Sequence, residues 1–426
     1  MTRKPFMIAM VFAALSAFGA NQAMKPDVLF VLIDSLKSSH LGCYGYGRRT
    51  SPNIDRLAAS EFVRFETCIA GGSWTQPAVM TLFTSLPADR HRRVLPRLPH
   101  NEDAVTLAQA FREAGYATVG ITANAMTNHR YGYGKGFDVW DDYSVTLPPG
   151  VGEDKISVGY ARGSVITKLG LNRLVRRDLE KPLFLFLFYM DPHWEFRPPP
   201  PYDRMFADEN VQQLKQTWKI KGRDVSPAQR ERVIAAYDGE IAYCDHVISN
   251  LVAQVKASPR GRETIIVITG DHGEAFWERG FSGHGNNLHE EEIKVPLMIR
   301  PPEGSAVYVP GTAVKGQVGA IDIAPTLLDL AGIDIPRTWE GRSLMGLMRG
   351  SVSDGRPVVT ETRIRDGLWQ RAVRTDRYKV VALSPFERPT EVYDLVNDPN
   401  ETNNLACSSA ALPAVQELVK YLPPAK

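Results

Sequence analysis

The strongest constraint on this chain is a run of apolar and β-branched residues, Thr264-Ile265-Ile266-Val267-Ile268-Thr269, that stops abruptly at Gly270-Asp271-His272-Gly273. A run of this kind reads as a strand buried on both faces, as in a helix-covered sheet. It delivers an acid and an imidazole together at its carboxyl end. Gly283-His284-Gly285 follows, then Glu290-Glu291-Glu292 and a second strand-like run, Val295-Pro296-Leu297-Met298-Ile299. In open α/β sheets ligands gather outside the carboxyl ends of the strands, and an Asp-His pair there suits a divalent cation. The same residues also suit a polar turn whose Asp caps a backbone amide. This stretch alone leaves both readings standing.

The pattern recurs. Asp27 to Ile33 is an apolar run of strand length that ends at Asp34-Ser35, and Leu183 to Tyr189 ends in Met190-Asp191-Pro192-His193. Two central strands that each present an acid at the carboxyl end can converge on one ion, although a lone Asp at such a place is often a turn former. Repetition favours a site.

The remaining segments supply helices and loops. Ser51-Pro52-Asn53 opens a helix with Ser51 as cap and Pro52 at the first position. Gly72-Ser73-Trp74-Thr75-Gln76-Pro77 precedes an apolar helical run from Ala78 to Leu86, so Thr75 falls at a helix amino terminus. There it serves either as the N-cap or as a group facing a bound anion. Helices are expected over Asp103–Gly115, Val165–Glu180, Pro227–Ala257 and Asp322–Ala331, and a strand over Tyr116–Ala123. An aromatic, glycine-rich loop runs from Tyr131 to Tyr143. Consecutive prolines from Pro198 to Pro201 stiffen the exit from the His193 strand as polyproline II. On the long helix, His246 is expected to pack or face solvent. From Pro357 onward the pattern shifts to short alternating strands (Val358–Thr362, Arg371–Thr375, Tyr378–Leu383, Glu391–Leu395) and a closing helix, Pro413–Leu422, which predicts a small antiparallel subdomain.

Composition narrows the partners. Lys and Arg total 50 against 48 Asp and Glu, a balance that gives no support to a polyanionic partner such as nucleic acid. Residues 1–23 carry Arg3 and Lys4 ahead of an apolar run from Phe6 to Phe18 and small residues, which reads as a secretory signal peptide too short for a stable membrane span. The protein is then exported, periplasmic or secreted; a start at Met24 would instead leave it cytoplasmic. Cys43, Cys68, Cys244 and Cys407 are widely spaced and imply neither a zinc knuckle nor a disulfide framework.

Taken in order, these pieces resemble the sulfatase family of the alkaline phosphatase superfamily. The resemblance rests on Asp34 within Val31-Leu32-Ile33-Asp34-Ser35-Leu36-Lys37, on Ser51-Pro52-Asn53-Ile54-Asp55-Arg56-Leu57, Trp74-Thr75-Gln76-Pro77, Asp191-Pro192-His193, Gly270-Asp271-His272-Gly273-Glu274 and Gly283-His284-Gly285. Towards the carboxyl end it rests on Asp322-Ile323-Ala324-Pro325-Thr326, Gly341-Arg342-Ser343-Leu344 and Tyr393-Asp394-Leu395-Val396-Asn397-Asp398-Pro399. It implies an α/β fold with an alkaline-phosphatase-like central, mostly parallel sheet flanked by helices: a catalytic domain over 24–345 and an antiparallel subdomain over 346–426. It also implies one divalent ion (Mn, Ca, Mg or Zn) held by Asp34, Asp271, His272 and Thr75, with Thr75 as nucleophile. His284 and His193 take the places of the family's basic residues around the ester and its leaving group, and Asn124 that of a contact to the substrate anion. Asp191 is expected to orient His193 or cap its turn, and His289 to be a surface-helix histidine rather than a ligand to a second metal.

The departures from the family pattern are chemical. Typical sulfatases carry Cys or Ser in C-x-P-S-R and oxidise it to formylglycine. Here Thr75 holds that position, with Ala78 and Val79 where Ser and Arg would be and Ser35 replacing a second Asp. Formylglycine cannot be made from threonine. Thr with Asp-His is instead similar to phosphoryl-transferring relatives such as lipoteichoic acid synthases and phosphoethanolamine transferases. A threonine alkoxide can form a phospho-threonine that water attacks at phosphorus, whereas a sulfo-threonine lacks the breakdown route of a formylglycine hemiacetal. The expectation is therefore a metal-dependent hydrolase or transferase of phosphate or sulfate esters on a small molecule, glycan or lipid headgroup, with phosphoesters favoured. The alternatives are a sulfuric ester hydrolase working without formylglycine and an inactive glycan-binding scaffold.

Overall fold

The computed structural model describes residues 25–93, 101–142, 161–207, 225–305, 308–363, 368–384, 388–408 and 412–422. The expected signal peptide lies outside them. Fifteen strands are described, labelled in chain order: β1 Val28–Ile33, β2 Val63–Ile69, β3 Ala117–Thr122, β4 Val139–Asp141, β5 Leu183–Tyr189, β6 Ile265–Gly270, β7 Ala275–Phe276, β8 Ser282–Gly283, β9 Lys294–Arg300, β10 Ala313–Val314, β11 Val318–Gly319, β12 Val358–Arg363, β13 Trp369–Arg374, β14 Tyr378–Leu383 and β15 Glu391–Asp394. The main sheet runs β10-β2-β9-β6-β1-β5-β3-β4, with β11 beside β2. Its centre is parallel, and only β9 runs against its neighbours β2 and β6.

The two-faced burial expected from the unbroken apolar runs is found in the packing. Val28, Phe30 and Leu32 of β1 point into one core, while Leu29, Val31 and Ile33 point into the other. The first core lies under the helices Thr75–Thr84, Leu107–Glu113 and Ile323–Leu330, the second under Pro52–Ser60, Gly163–Arg176 and Pro227–Ala257. Alternation along a strand is what lets one apolar run serve both layers. Phe186 of β5 anchors the first core, its ring 4.9 Å from Phe83, 5.5 Å from Phe30 and 6.0 Å from Trp140. Phe186→Ala is expected to cost about 3–5 kcal/mol of stability, read from urea denaturation, because rings packed on several sides leave a cavity that cannot collapse.

A four-stranded antiparallel sheet, β12-β13-β14-β15, forms the carboxyl-terminal subdomain expected from the short alternating runs, and the helix Leu412–Val419 closes it. Element ends differ from expectation by a few residues. The helix expected over Asp103–Gly115 spans Leu107–Glu113 and starts later because Thr106 and Gln109 form a capping box. The Val165–Glu180 helix spans Gly163–Arg176, beginning where Asp191 accepts a hydrogen bond from the Gly163 amide at 2.7 Å. The two-residue strands β7, β8, β10 and β11 escape the sequence pattern, and so do β2 and β4. In β2, Arg64, Glu66 and Thr67 interrupt the apolar residues and the register against β9 slips between Phe65 and Cys68. Strand β4 has three residues, inside the stretch read as an aromatic loop.

Candidate active site

Register brings the site together. In β1, Ile33 lies beside Tyr189 of β5 on one side and Gly270 of β6 on the other, and the Asp34 and Asp271 amides continue both ladders, donating to the Tyr189 and Ile33 carbonyls at 3.0 and 3.3 Å. Strand β3 runs parallel to β5, so Asn124 leaves the sheet at the same end, and β2 delivers Ser73, Trp74 and Thr75 there. Adjacent strands lie about 4.8 Å apart, so the residues just past their carboxyl ends become neighbours.

At that edge Asp34, Asp271 and His272 offer three ligand atoms within 4.8 Å of one another, all buried. The His272 Nδ1–H donates to the Gly273 carbonyl at 2.8 Å, and a carbonyl can only accept, so Nε2 carries the lone pair. That lone pair faces Asp271 Oδ2 at 3.4 Å and Asp34 Oδ1 at 3.7 Å. These separations are therefore not ion pairs. They are acceptors facing acceptors, an arrangement that calls for a cation between them. Asp271 Oδ1 does the work of the turn reading, accepting from the Ser35 and His272 amides at 3.1 and 2.8 Å, while Oδ2 is buried with no hydrogen-bond partner among the described residues. Both sequence readings of Asp271 thus hold, one for each oxygen. Burial, then the charge of Asp34, raises the Asp271 pKa well above the usual value, and burial holds His272 well below its own. Two carboxylates, an imidazole lone pair and an unpartnered buried oxygen fit one hard or borderline divalent ion.

Thr75 lies in the same cluster. The N-cap reading is corrected: Trp74 occupies the N-cap of the Thr75–Thr84 helix and Thr75 is its first residue. Its hydroxyl instead sits 3.4 Å from His272 Nε2 and 3.3 Å from Asn124 Nδ2. Asn124 also donates to Asp34 Oδ2, and its own Oδ1 is held by the Met126 amide at 2.7 Å. Asn124 therefore bridges the Thr75 hydroxyl and the Asp34 carboxylate. Val79, standing where the family's Arg would be, is fully buried in the apolar core.

Three imidazoles line the site. The rings of His284 and His272 are 4.4 Å apart and those of His284 and His193 5.2 Å. Glycines with φ of +101° and +73° flank His284, at Gly283 and Gly285, a backbone that other residues rarely adopt. The His284 Nδ1–H donates to Glu274 Oε2 at 3.1 Å. Burial alone would lower the His284 pKa, but the charge and hydrogen bond of Glu274, followed by Asp34 and Glu292, push it up to about 9. His193 is lowered chiefly by burial, and its Nδ1–H donates to the Trp194 carbonyl at 2.6 Å.

Sequence reasoning passed over several supports. Glu274 was legible only as part of a motif. The Ser35 hydroxyl donates to Asp34 Oδ1 at 2.9 Å, and the Tyr237 hydroxyl donates to the Ser35 carbonyl at 2.7 Å while accepting from the Lys37 amide at 2.9 Å. Asp191 does not orient His193: it accepts from Arg162 and from the Gly163 amide, both helix-entry contacts. His246 is exposed. His289 is corrected from a surface residue to a buried one, gripped by Glu401 at 3.1 Å and Glu391 at 3.2 Å. The four cysteines are free thiols. Among the described residues no helix is long and apolar enough to cross a membrane.

Fold and site together define an ester hydrolase of the alkaline phosphatase superfamily. A model of the Sulfatase family matches residues 26–333, and one described as N-sulphoglucosamine sulphohydrolase, C-terminal, matches residues 284–425. The chain belongs to the Sulfatase family. It is 26% identical to an arylsulfatase of Clostridium perfringens over 94% of each chain, and 23% identical to an N-acetylglucosamine-6-O-sulfatase of Bacteroides thetaiotaomicron over 99% of this chain and 91% of that one. The solved phosphonate monoester hydrolase of Agrobacterium radiobacter shares the fold with a TM-score of 0.75 at 22% identity, covering 93% of this chain and 94% of that one.

Proposed function

We propose that this protein is a metal-dependent phosphoester hydrolase of the Sulfatase family that uses Thr75 as its nucleophile. The observation that supports this most is the placement of the Thr75 hydroxyl 3.4 Å from His272 Nε2, beside the unpartnered Asp271 Oδ2. Asp34, Asp271, His272 and Thr75 would hold one divalent ion, which would supply charge neutralisation and a lowered hydroxyl pKa. Asn124 holds the hydroxyl against the Asp34 side. Thr75 Oγ1, its proton released to solvent, forms a bond to phosphorus in line with the leaving oxygen as the bond from phosphorus to that oxygen breaks, and His284 Nε2 gives the leaving oxygen a proton. Water then attacks phosphorus of the phospho-threonine, giving its proton to the now neutral His284, and the bond to Thr75 Oγ1 breaks to release phosphate and free the threonine oxygen. His193, half-buried and with its pKa lowered, faces the same oxygens as a hydrogen-bonding group.

The substrate is a phosphorylated or sulfated small molecule, glycan or lipid headgroup. Phosphorus is preferred over sulfur because a plain threonine ester of sulfate lacks an easy exit. The test is hydrolysis of 4-nitrophenyl phosphate, bis(4-nitrophenyl) phosphate and 4-nitrophenyl sulfate by protein stripped of metal and reloaded with Mn, Mg, Ca or Zn. The proposal expects phosphoester cleavage with at least one ion. Sulfate cleavage alone would mark the chain as a formylglycine-independent sulfatase, and inactivity throughout as a binding scaffold.

The protonated form of His284 is the acid, and Glu274 holds its pKa above the ordinary imidazole value, so kcat for esters with basic leaving groups is expected to fall as pH rises through that raised pKa. A pH–rate profile in which His284→Ala keeps the same alkaline limb would assign that limb to another group.

A further inference from the structure

The carboxyl-terminal subdomain meets the catalytic edge around Glu401, in the loop that follows β15. Residues 279–290 carry His284 in their middle, and both ends of this segment are fastened to Glu401. At one end Arg279, at the tip of the β7–β8 hairpin, donates from Nη1 to the Glu401 carbonyl at 2.9 Å and from Nη2 to the Asn400 carbonyl at 3.0 Å. At the other end Glu401 Oε2 accepts from the Glu290 amide at 2.9 Å and from His289 Nδ1 at 3.1 Å. Lys379 of β14 pairs with Glu401 Oε1 and lies 3.3 Å from Glu290 Oε1, and Arg374 of β13 grips both Glu290 oxygens at 3.0 and 3.1 Å. Glu401 is 1% exposed and sits at a φ of +54°, a conformation a non-glycine residue keeps only when its surroundings hold it there.

We infer that Glu401 is a positioning residue: through it the carboxyl-terminal sheet fixes the His284 segment, and so the aim of His284 at the leaving oxygen. The inference rests on the reading of His284 as the acid to that oxygen. Glu401 touches no reacting atom. A carboxylate that accepts from both a backbone amide and an imidazole of the same short segment sets its path in a way scattered surface pairs do not, because the bonds are buried and share one acceptor.

The test compares Glu401→Gln with wild type in two independent readouts. The first is amide hydrogen exchange over residues 279–292 of the full chain, which needs no catalysis. The inference expects exchange there to quicken by about tenfold or more, with the β1, β5 and β6 amides unchanged. The second is a leaving-group series. For an alkyl phosphate kcat is expected to fall by about tenfold or more, while the 2,4-dinitrophenyl ester and KM each change by less than about threefold, because only a basic leaving group needs the aimed proton. Adding His284→Ala to Glu401→Gln is expected to cost the alkyl ester less than about threefold further. Unchanged exchange in 279–292, or an equal loss for every leaving group, would overturn the inference. If wild type cleaves no ester, the proposed function fails and the exchange pattern alone decides this one. If Glu401→Gln does not fold, Arg279→Met releases one end while leaving Lys379 paired, and the same results decide.

Discussion

Thr75→Ala is expected to abolish turnover, lowering kcat by a factor on the order of ten thousand to a million, the range seen when a covalent nucleophile is removed from an otherwise intact site. The folded protein has little reason to change. Thr75 caps no helix amide, since Trp74 holds the N-cap. A thermal melt close to wild type together with lost turnover separates chemistry from stability. Thr75→Ser keeps the oxygen and is expected to retain activity within about tenfold of wild type, because the lost methyl makes no bond to the reacting group. Steady-state kinetics with the best phosphoester measures both. Undiminished turnover by the alanine variant would remove Thr75 from the mechanism.

Asp271→Asn should produce opposite effects on activity and on metal-free stability. Groups that merely orient metal ligands cost about 10–100-fold when lost, so removal of a ligand itself is expected to lower kcat/KM by more than about a hundredfold. Metal titration by calorimetry should show the matching loss of affinity. Stability of the metal-free protein should rise instead, by about 1–3 kcal/mol, because a buried carboxylate facing Asp34 and the His272 lone pair is uncompensated until a cation arrives. The sign follows from the raised Asp271 pKa. A carboxyl whose folded-state value lies above its unfolded value contributes stability below the unfolded value and loses it as pH rises through the folded one. Metal-free wild type should therefore weaken with rising pH over that interval, and Asp271→Asn should not. Sites built for a charged ligand commonly store this kind of instability.

The parts of this arrangement that were readable in the sequence share one property: they are local. Strands β1, β5 and β6 announce themselves because burial on both faces demands unbroken apolar runs, and the residues that end those runs are by construction at the sheet's ligand-binding edge. Asp34, Asp271 and His272 are visible for that reason. Strand β2 is not, because its polar residues break the run and a register slip removes the period. Strand β4 is too short to carry one. Thr75 shows how local reasoning misassigns a role. A threonine before a helix is usually a cap, and only the long-range approach of His272 and Asn124 shows that its hydroxyl points elsewhere. Glu274, Ser35 and Tyr237 support the site through contacts set by the sheet's register or by distant helices, and no spacing rule encodes them. Glu401 is farthest from view, since its meaning depends on how the small sheet meets a segment more than a hundred residues earlier in the chain.

The central claim is that Asp34, Asp271, His272 and Thr75 share one cation. Crystals of the protein loaded with Mn, with anomalous scattering recorded at the metal edge, test it most directly. The account predicts a single strong peak about 2.0–2.4 Å from an oxygen of Asp34, an oxygen of Asp271, His272 Nε2 and Thr75 Oγ1. A peak that excludes Thr75, or none at this edge of the sheet at saturating metal, would contradict it.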